Sequence, residues 1–365
     1  MPHKNRPLAT NRFNYERTSH RSENNRARNS LLESVRKVFH MILAVTCAVI
    51  VAHPQTGTIS STVSYLSVDH SGSSSYCGGD NILFYNTHTG QGETGKLTAS
   101  GFQRVRSYRP GEFAKNWTHV SQVDRVSSVL FYNANTGDGA IGDLDRGTFK
   151  TTNTYSNLSR GWTSILYAGL NSLSVALPIF YNASDGTLAI GFAPSQRVLK
   201  GTVSAGWSHV VWNDSGILFY NSGTGSGAVA VPSGNASGVY NNLTTTKSFG
   251  SGAFLKNWTH VVATGSNILF YNHRDGSAAL GRLLPSSVGG ASDFTTQTSF
   301  AAGRFAPHWT HIVSAGNLLL FYNSASGDGA IGRVANDQFS TIATMPLPRG
   351  YTHIVCSEDV GVTGP

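Results

Sequence analysis

Residues 257–282 read NWTHVVATGSNILFYNHRDGSAALGR, and this stretch contains both elements from which most of the chain is built. Residues 257–262 are rich in aromatic and β-branched side chains, and Gly265 follows them. Residues 268–271 form a second apolar run, and the pair Asp275-Gly276 marks a turn after it. Such runs separated by turn residues predict short β-strands.

Both elements occur six times. The aromatic–Tyr–Asn copies are Phe84-Tyr85-Asn86, Phe131-Tyr132-Asn133, Phe180-Tyr181-Asn182, Phe219-Tyr220-Asn221, Phe270-Tyr271-Asn272 and Phe321-Tyr322-Asn323. The alternating element is anchored at Trp117, Trp162, Trp207, Trp258, Trp309 and Tyr351. A period in the forties accommodates four short strands, which is one propeller blade. The sequence therefore predicts an all-β, six-bladed β-propeller of about 47-residue repeats.

The repeat array begins with an aromatic–Tyr–Asn element and ends with a Trp-type element. A C-terminal strand that completes the first blade would close the ring and remove exposed sheet edges. Cys77 and Cys356 occupy the same repeat position at opposite ends of the array. A disulfide that holds the ring shut is the favoured interpretation in an oxidising compartment, and two unpaired thiols are the alternative.

Composition divides the chain into unlike segments. Residues 1–37 contain nine Lys/Arg and three Asp/Glu, whereas the remainder contains 18 and 16. The basic charge thus belongs to a tail that is expected to be disordered, and nucleic-acid binding by the propeller is not expected. Residues 54–80 form a Ser/Gly-rich linker, residues 81–356 the propeller and residues 357–365 a short tail.

Residues 38–53 include an apolar run from Met41 to Ala52 preceded by Arg36 and Lys37. This run is shorter than the about 20 residues of a membrane span and is typical of a signal-peptide core. We therefore expect a secreted or extracellular protein. A signal anchor with the propeller outside is the alternative, and a membrane is a partner only if residues 38–53 are retained.

Residues 309–332 combine Trp-Thr-His-Ile-Val, a short loop, Leu-Leu-Phe-Tyr-Asn and Gly-Asp-Gly-Ala-Ile-Gly. This order resembles the repeats of the FG-GAP/VCBS propeller superfamily, which includes integrin-α-like propellers and propeller lectins, and the resemblance covers roughly residues 80–356. The family's Asp-rich calcium loop is missing, because residues 314–317 are Ser-Ala-Gly-Asn and residues 264–267 are Thr-Gly-Ser-Asn. Calcium needs several oxygen ligands, so no metal and no cofactor are predicted.

Catalytic groups are not evident in the repeats. A propeller glycosidase, the less favoured alternative, would need two carboxylates facing a sugar, and the acidic residues mark no such position. One repeat position carries histidine in five copies, namely His119, His209, His260, His311 and His353. These imidazoles could ring a channel and bind a metal or an anion. The favoured interpretation is that each packs beside its Trp and hydrogen-bonds a neighbouring blade.

The sequence therefore favours a non-catalytic, exported, lectin-like module with repeated sites for glycans or glycoproteins, because weak repeated sites gain through avidity. A protein-interaction scaffold with a protein partner is the alternative. Aromatic faces and amide groups are the side chains expected to contact sugar. The expected ligand-binding residues are Tyr85, Asn86, Tyr132, Asn133, Tyr220, Asn221, Tyr271, Asn272, Tyr322, Asn323, Trp117, Trp258 and Trp309.

Overall fold

The computed structural model describes residues 73–75, 77–124, 127–169, 176–191, 197–199, 203–234, 240–286 and 290–358. These residues form β-strands, turns and loops and contain no helix, so no described helix could cross a membrane. The predicted segments 1–37 and 38–53 lie outside the described residues, as do most of the linker and residues 359–365 of the predicted tail 357–365. The tail begins later than predicted, because Ser357 is the end of the last strand.

The strands form six four-stranded antiparallel sheets, and one of these sheets is joined by an additional strand. The first sheet contains β25 (His353–Ser357), β2 (Asn81–Asn86), β3 (Gln91–Thr98) and β4 (Gly101–Tyr108), and the second contains β5 (His119–Gln122), β6 (Ser128–Tyr132), β7 (Gly139–Asp145) and β8 (Thr148–Tyr155). The third contains β9 (Ser164–Gly169), β10 (Ala176–Tyr181), β11 (Leu188–Ile190) and β12 (Arg197–Leu199), and the fourth contains β13 (His209–Trp212), β14 (Ile217–Asn221), β15 (Ser226–Gly234) and β16 (Tyr240–Phe249), with the additional strand β1 (Ser73–Ser75) beside β13. The fifth contains β17 (His260–Thr264), β18 (Asn267–Tyr271), β19 (Ala278–Pro285) and β20 (Ala291–Phe300), and the sixth contains β21 (His311–Ala315), β22 (Leu318–Tyr322), β23 (Asp328–Ala335) and β24 (Gln338–Pro346).

Each sheet is one blade of a six-bladed β-propeller, as predicted. The innermost strands are β5, β9, β13, β17, β21 and β25, each of which lies beside the innermost strands of the two flanking blades. The C-terminal strand β25 pairs with β2, with Tyr85 opposite His353, and so completes the first blade and closes the ring. Cys77 and Cys356 form a disulfide at this closure.

The second strand of each blade is buried on both faces, because blades stack against it from both sides. Its tyrosine packs against the phenylalanine of the next blade, for example Tyr85 against Phe131 with ring centroids 5.4 Å apart and Tyr220 against Phe270 at 5.8 Å. Both pairs are edge-to-face, a favourable arrangement for aromatic rings. The pair formed by Tyr322 and Phe84, at 5.7 Å, continues this contact across the closure.

The outer strands pair antiparallel but with local irregularities. β15 and β16 of the fourth blade have register shifts after Val229 and after Ser233. β20 of the fifth blade extends over Ala291–Phe300 and also has register shifts in its pairing with β19.

The glycine after each Phe-Tyr-Asn motif lies against the backbone of the loop that follows the outer strand. Gly276 has φ of +68°, and a Cβ atom there would lie 2.0 Å from the carbonyl oxygen of Phe305. The Phe305 amide also donates to the Gly276 carbonyl at 3.1 Å. No side chain can occupy this position unless the loop moves.

We predict that Gly276→Ala lowers the free energy of unfolding by more than 2 kcal/mol, an order-of-magnitude value that adds a clash to the roughly 1 kcal/mol for a left-handed alanine. Gly303→Ala is the matched control, because Gly303 has φ of +78° but open space around its Cβ position. Urea unfolding of both variants measures the difference. Equal losses of stability would contradict the close backbone contact.

Candidate functional site

The six motif tyrosines connect blades rather than face solvent. Each side chain is buried, and each hydroxyl donates to a backbone carbonyl in the loop that leads into the next blade. The donor–acceptor distances lie between 2.6 and 2.9 Å. The pairs are Tyr85 with Ala114, Tyr132 with Ser159, Tyr181 with Ser204, Tyr220 with Leu255, Tyr271 with Ala306 and Tyr322 with Pro348.

The motif asparagines hold the turn that follows their strand. The Asn133 Oδ1 atom accepts from the amides of Asn135 and Thr136, and its Nδ2 donates to the Asn116 carbonyl at 2.9 Å. Asn116 has φ of +65°, so the asparagine stabilises a left-handed residue immediately before Trp117. Corresponding bonds to turn amides are made by Asn86, Asn221, Asn272 and Asn323.

The tryptophans pack on the phenylalanines of their own blades. Trp258 is buried, whereas Trp117 and Trp309 are half-buried, and their rings lie 5.9–6.2 Å from those of Phe270, Phe131 and Phe321. The rings of Tyr85, Tyr132, Tyr220, Tyr271 and Tyr322 have no exposed face, so the structure does not support them as platforms for a sugar. The asparagines hold turns while remaining half-buried, as are Trp117 and Trp309, and sugar contact by the asparagines and tryptophans stays a prediction.

The histidines form a ring of hydrogen bonds between innermost strands. The Nε2 atom of His260 lies 3.0 Å from the carbonyl oxygen of Thr310, and Nε2 of His311 lies 3.0 Å from that of Thr352. His209 and His353 make the same contact at 3.2 Å. These contacts are the blade-to-blade bonds favoured from the sequence, and the described residues contain no cluster of metal-ligating side chains.

The geometry fixes the protonation of these imidazoles. A carbonyl oxygen only accepts, so Nε2 of His260 carries a proton and donates it to the Thr310 carbonyl. Nδ1 of His260 lies 2.9 Å from the Thr259 hydroxyl, which is also 3.0 Å from the Tyr271 carbonyl. Burial lowers the pKa of His260 to about 4, against the opposing effect of the Thr310 carbonyl. His260 therefore stays neutral at physiological pH.

We predict that the His260 position makes stability pH-dependent. The unfolded chain binds a proton near pH 6.5 and the folded chain near pH 4, so stability is complete above pH 6.5 and falls as the pH decreases towards 4, by up to roughly 3 kcal/mol. Urea unfolding from pH 7 to 4.5 should show a shallower decline in His260→Gln than in wild type. His308→Asn, at an exposed position where two other blades have Asn, should keep the wild-type slope. Identical slopes for His260→Gln and wild type would refute the assignment.

The repeat pattern is broken at Glu93. This residue lies opposite Phe84 on the third strand of the first blade. The corresponding residues of the other blades are Ala140, Ala189, Ala228, Ala279 and Ala330. Glu93 is 6% exposed, and its carboxylate accepts from Arg104 Nη1 at 3.1 Å. A carboxylate is rarely buried in a protein interior unless it is paired.

The same blade has Tyr351 where the other five have tryptophan. Tyr351 is 1% exposed, and its ring packs 5.2 Å from that of Phe84. Its buried hydroxyl makes no hydrogen bond of normal geometry, although the side chain of Gln91 interacts with it. Burial and then the Glu93 charge raise the Tyr351 pKa well above its usual range, so the phenol is protonated.

A polar cluster lies on the side of the first blade that faces the last blade, and we call it the seam cluster. It consists of Glu93, Tyr351, Gln91 and Arg104. It combines a proton acceptor, a proton donor and a cation, and Arg104 reaches solvent with a side chain that is 59% exposed. The sequence prediction did not include these residues. The signal was present, because Gly-Gln-Gly-Glu-Thr-Gly at residues 90–95 departs from Gly-Asp-Gly-Ala-Ile-Gly at residues 137–142 and 327–332.

No protein-family model and no curated protein matches this chain. Solved structures with a similar fold include a periplasmic gluconolactonase from Pseudomonas aeruginosa, with 11% identity, TM-score 0.46 and coverage of 75% of this chain and 98% of that one. Another is a Bacteroides uniformis protein whose name assigns it to the 6-phosphogluconolactonases, with 10% identity, TM-score 0.45 and coverage of 74% and 82%. A nidogen/laminin complex matches with 12% identity, TM-score 0.46 and coverage of 77% and 100%.

The names of these similar propellers, which include a gluconolactonase and 6-phosphogluconolactonases, run against the expectation of a non-catalytic, lectin-like module and against the expectation that the chain is not an enzyme. At about one identical residue in ten, the likeness concerns the fold and assigns no substrate to this chain.

Proposed function

We propose that this chain is a hydrolase-type propeller and that the seam cluster contains its reacting groups. The observation that carries the proposal is a buried Glu93 carboxylate whose charge acts on a buried Tyr351 hydroxyl, at two positions where the other blades have alanine and tryptophan. Titratable groups in perturbed surroundings are concentrated at functional sites. The repeat needs neither group for its packing, because five blades are built without them.

The composition of the cluster favours ester or lactone hydrolysis over glycoside hydrolysis. The groups that act on Tyr351 are Glu93, Gln91, Tyr322 and Arg104, which include a single carboxylate, whereas glycosidases generally use two. One base is sufficient to activate water towards a carbonyl carbon.

In this mechanism Glu93 accepts a proton from water as the water oxygen attacks the carbonyl carbon of the substrate. The Tyr351 hydroxyl donates a hydrogen bond to the negative charge that develops on the carbonyl oxygen. The carbon–oxygen bond to the alcohol then breaks, and the alkoxide takes up the proton held by Glu93. Arg104, at the solvent edge of the cluster, would hold the carboxylate product or an anionic group of the substrate.

We predict that wild-type protein hydrolyses members of a panel comprising δ-valerolactone, D-glucono-δ-lactone and p-nitrophenyl acetate, with acid release followed by pH-stat. Glu93→Gln should reduce kcat/KM by 10²–10⁴-fold, the usual contribution of a general base, because it keeps the shape but removes the proton acceptor. Glu93→Ala and Tyr351→Trp introduce the residues of the other blades. Both should lose activity while their thermal unfolding stays close to that of wild type.

Glu112→Ala, which removes an exposed acid in the loop after β4, is the matched control and should retain full activity. The proposal fails if wild type is no faster than Glu93→Gln on every substrate of the panel. It also fails if Glu93→Gln keeps wild-type kcat/KM on a substrate that wild type hydrolyses.

We also propose that the chain is exported from the cell and that it belongs to the FG-GAP/VCBS superfamily. The order of the apolar strand and the Gly-Asp-Gly turn supports the superfamily, and the disulfide supports an oxidising compartment. In this proposal, glycans and glycoproteins supply the substrates, which carry hydroxyl groups. A protein partner remains a prediction from the sequence.

A further inference from the structure

The short strand β1 lies inside the ring. It pairs in parallel with β13, placing Ser73 beside Val210, Ser74 beside Val211 and Ser75 beside Trp212. β13 is the innermost strand of the fourth blade, so the strand added to its free edge occupies the central channel. β1 also approaches β9 and β17, the innermost strands of the two flanking blades.

The direction of β1 defines how the chain enters the channel. The innermost strands begin at the face with the Trp-type loops, and β25 ends at the opposite face near Cys356. Because β1 is parallel to β13, it passes from the first face to the second and is followed there by Cys77.

Three contacts hold the chain at the exit from the channel. Cys77 is joined to Cys356 of the first blade, and its carbonyl accepts from the Gly316 amide of the sixth blade at 2.8 Å. The next amide, that of Gly78, donates to Oε1 of Glu358 at 3.1 Å. Both cysteines are buried, which makes the disulfide a durable tether.

We propose that the central channel is a binding site for one extended peptide strand with small side chains, which the chain fills with its own β1. Strand addition to a free sheet edge uses main-chain hydrogen bonds and is an established mode of peptide recognition. The occupying residues are three serines, whose side chains are among the smallest. The tether keeps the local concentration of this strand high, so the site is filled within one chain. This proposal is independent of the hydrolytic one.

The test uses the full chain and a synthetic peptide, HSGSSSYSG, which corresponds to residues 70–78 with serine in place of Cys77. Ser74→Pro should disrupt the pairing of β1, because proline removes an amide hydrogen and restricts the backbone. Among the amides of Val210, Val211 and Trp212, those that face β1 should then exchange hydrogen at least tenfold faster than in wild type, whereas those that face β14 should keep the wild-type rate. The amides of β17 serve as the internal control for folding.

The binding experiment uses a triple variant that combines Ser74→Pro with Cys77→Ser and Cys356→Ser. In this variant β1 is neither paired with β13 nor held by the disulfide. Fluorescein-labelled peptide should bind this variant in a polarisation assay and return the exchange of residues 210–212 to the wild-type rate. Oxidised wild type should not bind it, because its site is filled. A peptide with tryptophan at the position of Ser74 should bind at least tenfold more weakly than one with alanine there.

Unchanged exchange at residues 210–212 in Ser74→Pro, with the disulfide intact, would show that β1 does not occupy the channel. Failure of the peptide to bind the triple variant, with β17 still protected, would show that the channel does not accept a strand. Equal binding of the tryptophan and alanine peptides would overturn the requirement for small side chains.

Discussion

The hydrogen bond from each motif tyrosine to the loop of the next blade is the interaction on which the ring depends. The ring of the tyrosine fills the space between two blades, and its hydroxyl joins them. Tyr132, for instance, donates to the Ser159 carbonyl at 2.6 Å, in the loop that begins the next innermost strand. These bonds stabilise the ring, because a buried hydroxyl left without a partner costs about 1–3 kcal/mol. Packing and polar satisfaction therefore position each blade relative to its neighbour.

A second set of bonds, closer to the channel, repeats this arrangement with different groups. The histidines donate from Nε2 to carbonyls of the following blade, and Nδ1 lies within hydrogen-bond distance of the hydroxyl of the preceding residue, as in His260 and Thr259. Aromatic rings, amides and imidazoles are side chains that also bind ligands. In this chain their regular recurrence reflects the architecture, since each copy makes the same contact between or within blades.

Departures from the repeat are therefore the more informative positions. Glu93 and Tyr351 lie where the first and last blades meet, and each replaces a residue that five blades share. The same closure contains the disulfide and the exit of β1 from the channel. The seam differs from the other interfaces because the first blade is assembled from both ends of the described chain, so its residues belong to separate stretches of sequence.

The sequence by itself determined the fold class, the number of blades and the way in which the ring closes. Those features follow from local patterns, namely apolar runs such as residues 268–271, the Gly276 turn and the unmatched ends of the repeat array. Only the tertiary structure decided which face of each strand packs against a neighbouring blade. The rings of Tyr85 and Tyr322 are therefore buried between blades and expose no face to a sugar. The tertiary structure also placed Tyr351 where the charge of Glu93 acts on it, and β1 against β13, because the fold joins residues that the repeat pattern leaves far apart.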